Sequence, residues 1–358
     1  MRLISKHSYL LSIGIFLSTG CGRIASNQNQ ADLQKSFESE FNLSADSIAF
    51  DQILKAGNIY YAAPYILLND VSQNANKHFY VYDQNLKFLY SFCDTGQGDA
   101  ECIMPSVVKG SSASEFIVRD HATDIFHTYV LNDSNARYEK NFRLQKSNQY
   151  ESLWEINKVT PNQFFVKGTT PRSIIRKLIN SQTGATIDSI PPTFNLRESM
   201  DRDYYSEFDD LWMVSNGKDF ANAYFFINRI EFGEIKDNRL HIVATVGTDT
   251  PPEFFLYTDE RLDGKYEYNI DYNTVYYEGL FGTEDKVYAS YFGLPWGDIN
   301  KHASIIESYL YSGQPCDLYK INVPLSSFVV VGNRIIGINP DISDENFYIY
   351  YLPSNEKE

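Results

Sequence analysis

The chain has 358 residues, 43% of them hydrophobic and 15% aromatic, with 27 Tyr and 24 Phe. That content excludes a disordered chain and favours pleated sheet, whose half-buried surface suits aromatic side chains. A formal net charge of −15 disfavours nucleic-acid binding, since phosphates would be repelled. The acidity selects no substrate, because solubility alone accounts for it.

The N-terminus reads as an export signal. Arg2 and Lys6 form a basic start, and Tyr9 to Leu17 is an apolar run too short to span a membrane as a permanent helix. Residues 1–20 are therefore expected to be cleaved, and loss of the two basic residues takes the charge from −15 to −17. Leu17-Ser18-Thr19-Gly20-Cys21 resembles the lipobox of bacterial lipoproteins, departing from it at Ser18, where an aliphatic residue is usual. The resemblance implies a lipid on Cys21 and a membrane anchor without a spanning segment. The alternative is an ordinary secretory signal in which Cys21 is incidental. Residues 21–45, with Asn27-Gln28-Asn29-Gln30 near the anchor, read as a polar tether carrying one short helix from Asp32 to Phe41.

Residues 46–358 read as one all-β domain. Six short apolar segments recur: Tyr65–Leu68, Glu115–Val118, Gln163–Val166, Arg239–Ile242, Lys286–Ala289 and Arg334–Gly337. Their first residues lie 50, 48, 76, 47 and 48 apart. A period near fifty is that of a four-stranded blade, so six copies predict a six-bladed β-propeller with these segments innermost. The long interval predicts an insertion near 191–217. Second strand pairs follow several copies, as in Phe79–Phe92, Phe126–Phe142 and Ile174–Ile190, and the last unit ends in Phe347–Leu352. Ser47 to Leu54 is expected to join that final blade and close the ring. A β-sandwich of loosely similar hairpins is the alternative.

The hairpin Phe79–Phe92 is followed by Gly96-Gln97-Gly98-Asp99-Ala100-Glu101. This stretch, and the run from Leu318–Ile321 through Val331–Arg334 to Tyr350, resembles the TolB-like six-bladed propeller lipoproteins of Gram-negative anaerobes, relatives of NHL-type propellers. The family's glycine-x-glycine-proline-x-glutamate exit has Asp99 here in place of proline. The resemblance implies a fold and an envelope location, and brings across no catalytic residue.

Candidate chemistry is sparse. Cys93 and Cys102 flank the Gly96 and Gly98 turn, so a disulfide would close that loop if their Cβ atoms face each other; the alternative is three buried free thiols, Cys316 included. Asp120, His121, Asp124 and His127 lie within eight residues, but their spacing matches no established metal site and suits a solvated hairpin tip. No metal and no cofactor is expected. The 191–217 insertion holds Tyr204, Tyr205, Asp209, Asp210 and Trp212, and Tyr291 to His302 holds Trp296 and Asp298. Aromatic faces beside carboxylates suit a saccharide or peptide surface, although such rings also pack between blades. No GxSxG, HExxH or phosphate-loop motif occurs. The reading is a lipid-anchored binding or scaffolding module for an envelope protein, peptide or glycan, more a binder than an enzyme; the alternative is an envelope hydrolase or lyase at the channel mouth. Gly22 to Ser26 lacks the acidic residues common after the lipidated cysteine of surface-exported lipoproteins, which points to the periplasmic side of the outer membrane.

Overall fold

The computed structural model describes residues 31–33, 35–50, 52–53, 55–144, 152–170, 173–191, 193, 210–248, 256–258, 266–268 and 273–353. Three short strands come first: β1 (Ala31–Leu33), β2 (Ser39–Leu43) and β3 (Asp46–Ala49). Blade one is β4 (Ala56–Ala62), β5 (Tyr65–Asp70), β6 (Lys77–Tyr82) and β7 (Phe88–Asp94). Blade two is β8 (Pro105–Val107), β9 (Phe116–Asp120), β10 (Ile125–Leu131) and β11 (Ala136–Phe142). Blade three is β12 (Ser152–Thr160), β13 (Gln163–Thr170), β14 (Ser173–Asn180) and β15 (Thr186–Ile190). Blade four is β16 (Leu211–Ser215), β17 (Asp219–Tyr224), β18 (Arg229–Lys236) and β19 (Arg239–Gly247). A hairpin, β20 (Leu256–Thr258) with β21 (Tyr266–Tyr268), precedes blade five, which is β22 (Thr274–Gly282), β23 (Lys286–Pro295), β24 (Ala303–Leu310) and β25 (Pro315–Leu325). Blade six is β26 (Ser327–Val331), β27 (Arg334–Asn339) and β28 (Ser343–Tyr351), with β3 as its outer strand. The chain is a six-bladed β-propeller.

The recurring apolar segments are not the innermost strands. Five of them lie in β5, β9, β13, β23 and β27, the second strand of each blade, and Arg239–Ile242 lies in β19, the fourth strand of blade four. A second strand is flanked by sheet neighbours and covered by a blade on each face, so β5 and β9 are buried at every residue. The second strand of the fourth blade, β17, lacks a run of large apolar residues, because Ala221, Asn222 and Ala223 separate its buried aromatics Phe220 and Tyr224. With β17 in place the second strands begin at residues 65, 116, 163, 219, 286 and 334. Extra length therefore falls on both sides of blade four, and the expected insertion ends in β16, an inner strand.

Six apolar clusters hold the ring, one between each pair of neighbouring blades. Aromatic rings carry much of the contact. Phe79 and Phe92 of blade one each lie 6.0 Å from Phe116 of blade two, Phe165 lies 4.8 Å from Phe220 across blades three and four, and Phe232 lies 5.5 Å from Tyr309 across blades four and five. Tyr82 against Phe347, at 5.1 Å and nearly perpendicular, joins blade one to blade six. Edge and offset contacts of this kind add about 0.5–1.5 kcal/mol each beyond area burial.

The segment expected to be a tether with a short helix is, over its described part, a belt of strands. β1 pairs parallel with β19, β2 pairs parallel with β25, and β3 pairs antiparallel with β28. The belt covers the outer edges of three successive blades. Lys35 pins it between blades four and five, where its Nζ lies 3.0 Å from the buried Glu307 carboxylate and 4.4 Å from the Tyr291 ring centroid. Burial lowers the Lys35 pKa from its ordinary value, opposed by the charge of Glu307. Phe37 on Tyr309 and Phe41 on Tyr319 complete the attachment. Beyond β3, Phe50 and Ile53 leave the ladder for the core between blades six and one, so pairing stops short of the expected Leu54. Among the described residues no helix is long and apolar enough to cross a membrane.

Candidate functional site at the channel mouth

In an up-and-down blade the first and third strands begin, and the second and fourth end, on one side of the disc. Call this the upper end. A cavity of about 440 Å³ occupies the channel below it, walled by the inner strands of all six blades. That is within the range of small-ligand sites, roughly 300–1,000 Å³. Eight large hydrophobic side chains are exposed among the described residues, and six of them stand at the upper end: Val71, Ile103, Met104, Trp154, Leu294 and Ile342. Trp154 is 46% exposed and also forms part of the cavity wall, so the cavity meets an exposed aromatic side chain at the upper end.

Irregularities in three inner strands place the polar residues of the wall. The ladder of β4 on β5 shifts register between Ala56 and Ile59, that of β12 on β13 between Trp154 and Asn157, and that of β22 on β23 on both sides of Tyr277. A bulge breaks the strict alternation of a strand and re-aims the extra residue. The residues at these shifts include Asn58, Glu155 and Glu278, all of which line the cavity. Glu155 also has a positive φ of 44°, a conformation uncommon for residues other than glycine.

Two charged groups cross the wall. Lys109, just after β8, pairs with Glu155 and donates to the Met213 carbonyl at 3.1 Å, with its Nζ 5.7 Å from the Trp212 ring. Burial would raise the Glu155 pKa, but the charges of Lys109 and Lys167, with hydrogen bonds from Lys109 and the Met213 N–H, hold it below its ordinary value. The buried Tyr60 hydroxyl is pushed up, first by burial and then by the charge of Glu155, with Asn58 pulling the other way. In the second group His302 bridges two carboxylates, with Nε2 2.7 Å from Asp341 Oδ2 and Nδ1 3.8 Å from Glu278 Oε1. The nearby Glu278 carboxylate raises the His302 pKa, opposed by burial and aided by the hydrogen-bonded Asp341. The Glu278 side chain is only 8% exposed, and its Oε2 has no hydrogen-bond partner.

The histidines and carboxylates of 120–127 separate. Asp120 ties the turn, accepting from the Met104 and Ala122 N–H groups and the Thr123 hydroxyl, while Asp124 pairs with Arg119. His121 stacks on Trp154 at 4.9 Å and meets Ser106 at 2.8 Å on the cavity wall. Burial lowers its pKa, and so does the charge of Arg119, against Asp124 and Asp120. His127 turns instead into the protein beside the Asp99 carbonyl. Among the described residues no three side chains converge as metal ligands.

Of the residues singled out from the sequence, Tyr204, Tyr205, Asp209 and Cys21 lie outside the described residues. Trp212 lines the cavity and donates to the Tyr277 carbonyl at 3.0 Å, bridging blades four and five. Asp210, at the start of β16, pairs with Lys167 at 2.5 Å. Trp296 packs on Phe225 and Phe226 at 5.2 and 6.2 Å, with Asp298 in the same short 3-10 turn (Trp296–Lys301). Both belong to the upper end, but neither lines the cavity. Cys93 and Cys102 are free thiols facing each other between blades one and two, the Cys102 thiol pushed up by its hydrogen bond with Cys93 and by burial. The Glu101 carboxylate accepts from the Gly98 N–H at 2.8 Å and folds over the exit turn, against the space beside Gly96. Sequence reasoning missed Lys109, Trp154, Glu155 and Glu278. Trp154 was open to it as one of three tryptophans, whereas the bulges that aim the carboxylates leave no mark in composition or period.

The sequence matches no protein-family model and no curated protein. Its structure is similar to that of a Bacteroides fragilis protein inferred to be exported, with a TM-score of 0.53 and 13% identity over 89% of this chain and 98% of the other. It is also similar to a member of the DUF4221 family from Bacteroides vulgatus, with a TM-score of 0.54 and 9% identity over 86% of this chain and 97% of that one. At these identities the likeness is one of fold.

Proposed function

We propose that the chain is a cell-envelope propeller, anchored through a lipid on Cys21, that binds part of a protein, peptide or glycan at the upper mouth of its channel. The observation that carries the reading is the cavity of about 440 Å³ whose wall includes the exposed Trp154. Aromatic side chains beside a few fixed polar groups are what such sites use. The export signal and lipobox-like sequence, the TolB-like and NHL-like features of the exit turn, and the likeness in fold to an exported protein support the envelope location. The outer membrane, periplasmic side, is the proposed station.

The test is a glycan and peptide binding screen on the purified chain beside a Trp154→Ala variant. Because Trp154 is half exposed, its truncation is expected to leave the melting temperature nearly unchanged and weaken a true ligand several-fold. Ligands that bind both forms equally would contradict a channel-mouth site. Metabolic labelling with a palmitate analogue tests the anchor: label lost in Cys21→Ala supports it, and label retained contradicts it.

A further inference from the structure

A serine and a histidine meet on the cavity wall, with His121 Nε2 2.8 Å from Ser106 Oγ. The ladder of β8 on β9 brings them together. Ser106 stands opposite Arg119, and the strands are bonded at every second residue, the Val108 N–H donating to the Ile117 carbonyl and the His121 N–H to the Met104 carbonyl, both at 2.9 Å. Ser106 and His121 therefore share one face of blade two. Trp154, from blade three, stacks on the imidazole at 4.9 Å and fixes its plane. Both members of the pair are half-buried, within reach of a guest in the cavity.

The same register supplies a third group. Val107 falls between the bonded positions, so its N–H points away from β9. Because β8 is the innermost strand of its blade, that edge faces the channel, and Val107 lines the cavity. A bridge from Lys109 to Asn157 joins the edge to blade three further along. A hydroxyl beside an imidazole, with the N–H of the residue after the serine close by, is the set that acyl transfer uses. Burial and the charge of Arg119 lower the His121 pKa, against Asp124 and Asp120, so the imidazole is neutral at neutral pH and can take a proton.

We infer that Ser106 and His121 form an acyl-transfer dyad that cleaves carboxylic esters entering the channel mouth. The inference shares the cavity with the binding reading above and goes beyond it by adding a reaction. Ser106 Oγ gives its proton to His121 Nε2 and bonds to the ester carbonyl carbon, while the Val107 N–H meets the oxygen that becomes negative. The intermediate collapses as the alcohol oxygen leaves with the proton from Nε2, and the acyl group stays on Ser106. Water then gives a proton to Nε2 and its oxygen to the acyl carbon, and Ser106 recovers that proton as the carboxylic acid departs. Esters suit the site better than amides, since an alcohol leaves more readily than an amine and a single N–H stands beside the oxyanion.

The test treats the purified full chain with a fluorophosphonate, maps the label by peptide mass, and follows hydrolysis of p-nitrophenyl acetate. The label is expected on the peptide that carries Ser106. Hydrolysis should fall about a hundredfold or more in Ser106→Ala and in His121→Gln, and stay unchanged in Ser114→Ala, at an exposed turn of the same blade. Mapping on the natural protein needs no variant, so it decides the matter even if His121→Gln fails to fold. A chain that takes no label, a label on another residue, or hydrolysis retained in Ser106→Ala overturns the inference. If labelling fails while a glycan or peptide binds and is lost in Trp154→Ala, the binding reading survives without the dyad. If Ser106 is labelled and esters are cleaved while no glycan or peptide binds, the dyad stands and the binding reading falls.

Discussion

Single residues in this propeller matter most where charge is buried between blades. Glu231 is almost wholly buried and receives Arg229 at 3.0 Å, the Thr193 hydroxyl at 2.6 Å and Arg176. Burial would raise its pKa, but the two guanidinium groups and the Thr193 hydrogen bond hold it below the ordinary carboxylate value. Removing one member of such a group leaves its partners charged and desolvated, so Glu231→Ala is expected to cost about 3–5 kcal/mol, read by denaturant unfolding. His302 gives a pH signature. Its pKa is raised in the folded state, so the stabilisation from Asp341 and Glu278 is complete below the ordinary histidine value of about 6.5 and lost as pH rises through the folded value. The difference in melting temperature between the natural protein and His302→Asn should therefore be larger near pH 6 than near pH 9; the opposite slope would contradict the contact. Cys93 and Cys102 face each other in the core, so chain recovered from an oxidising envelope is expected to carry their disulfide, seen as a mass two hydrogens lower that returns on reduction.

At the scale of elements, what the sequence showed depended on how each strand is buried. The second strands of five blades are apolar on both faces and stand out, so the fold class was legible, and the count of six came out right because an outer strand, β19, stood in for the second strand of blade four. Inner strands present bulges and polar side chains to the channel, and their short mixed sequences hide them; β17 hides for a different reason, its small residues. The N-terminal belt was illegible because β2 alternates half-buried and exposed residues along an edge, a pattern too weak to separate from a polar tether. Its contribution is testable. Deleting residues 31–45 removes the strands on β19 and β25 and leaves Glu307 buried without Lys35, so the melting temperature should fall with the ring still closed. Deleting through Ala49 also uncovers β28, and the larger fall should come with aggregation in sedimentation, as exposed strand edges pair with other chains. Equal stability of the two truncations would contradict β3 as the closing strand.

For the molecule as a whole, six blades wedge aromatic side chains between neighbours and leave a channel whose upper end gathers the features a ligand would use. The chain's three tryptophans, Trp154, Trp212 and Trp296, all stand at that end, two of them in the cavity wall. Where the ligand binds is therefore readable by intrinsic fluorescence. The most direct measurement is a titration of tryptophan emission with the tightest ligand from the glycan and peptide screen, repeated on Trp154→Phe and Trp212→Phe. A channel-mouth site predicts a saturable shift in emission that follows the calorimetric affinity and shrinks in both variants. Saturable binding with unchanged emission, or a shift that survives both substitutions, would place the ligand elsewhere on the propeller and contradict the account.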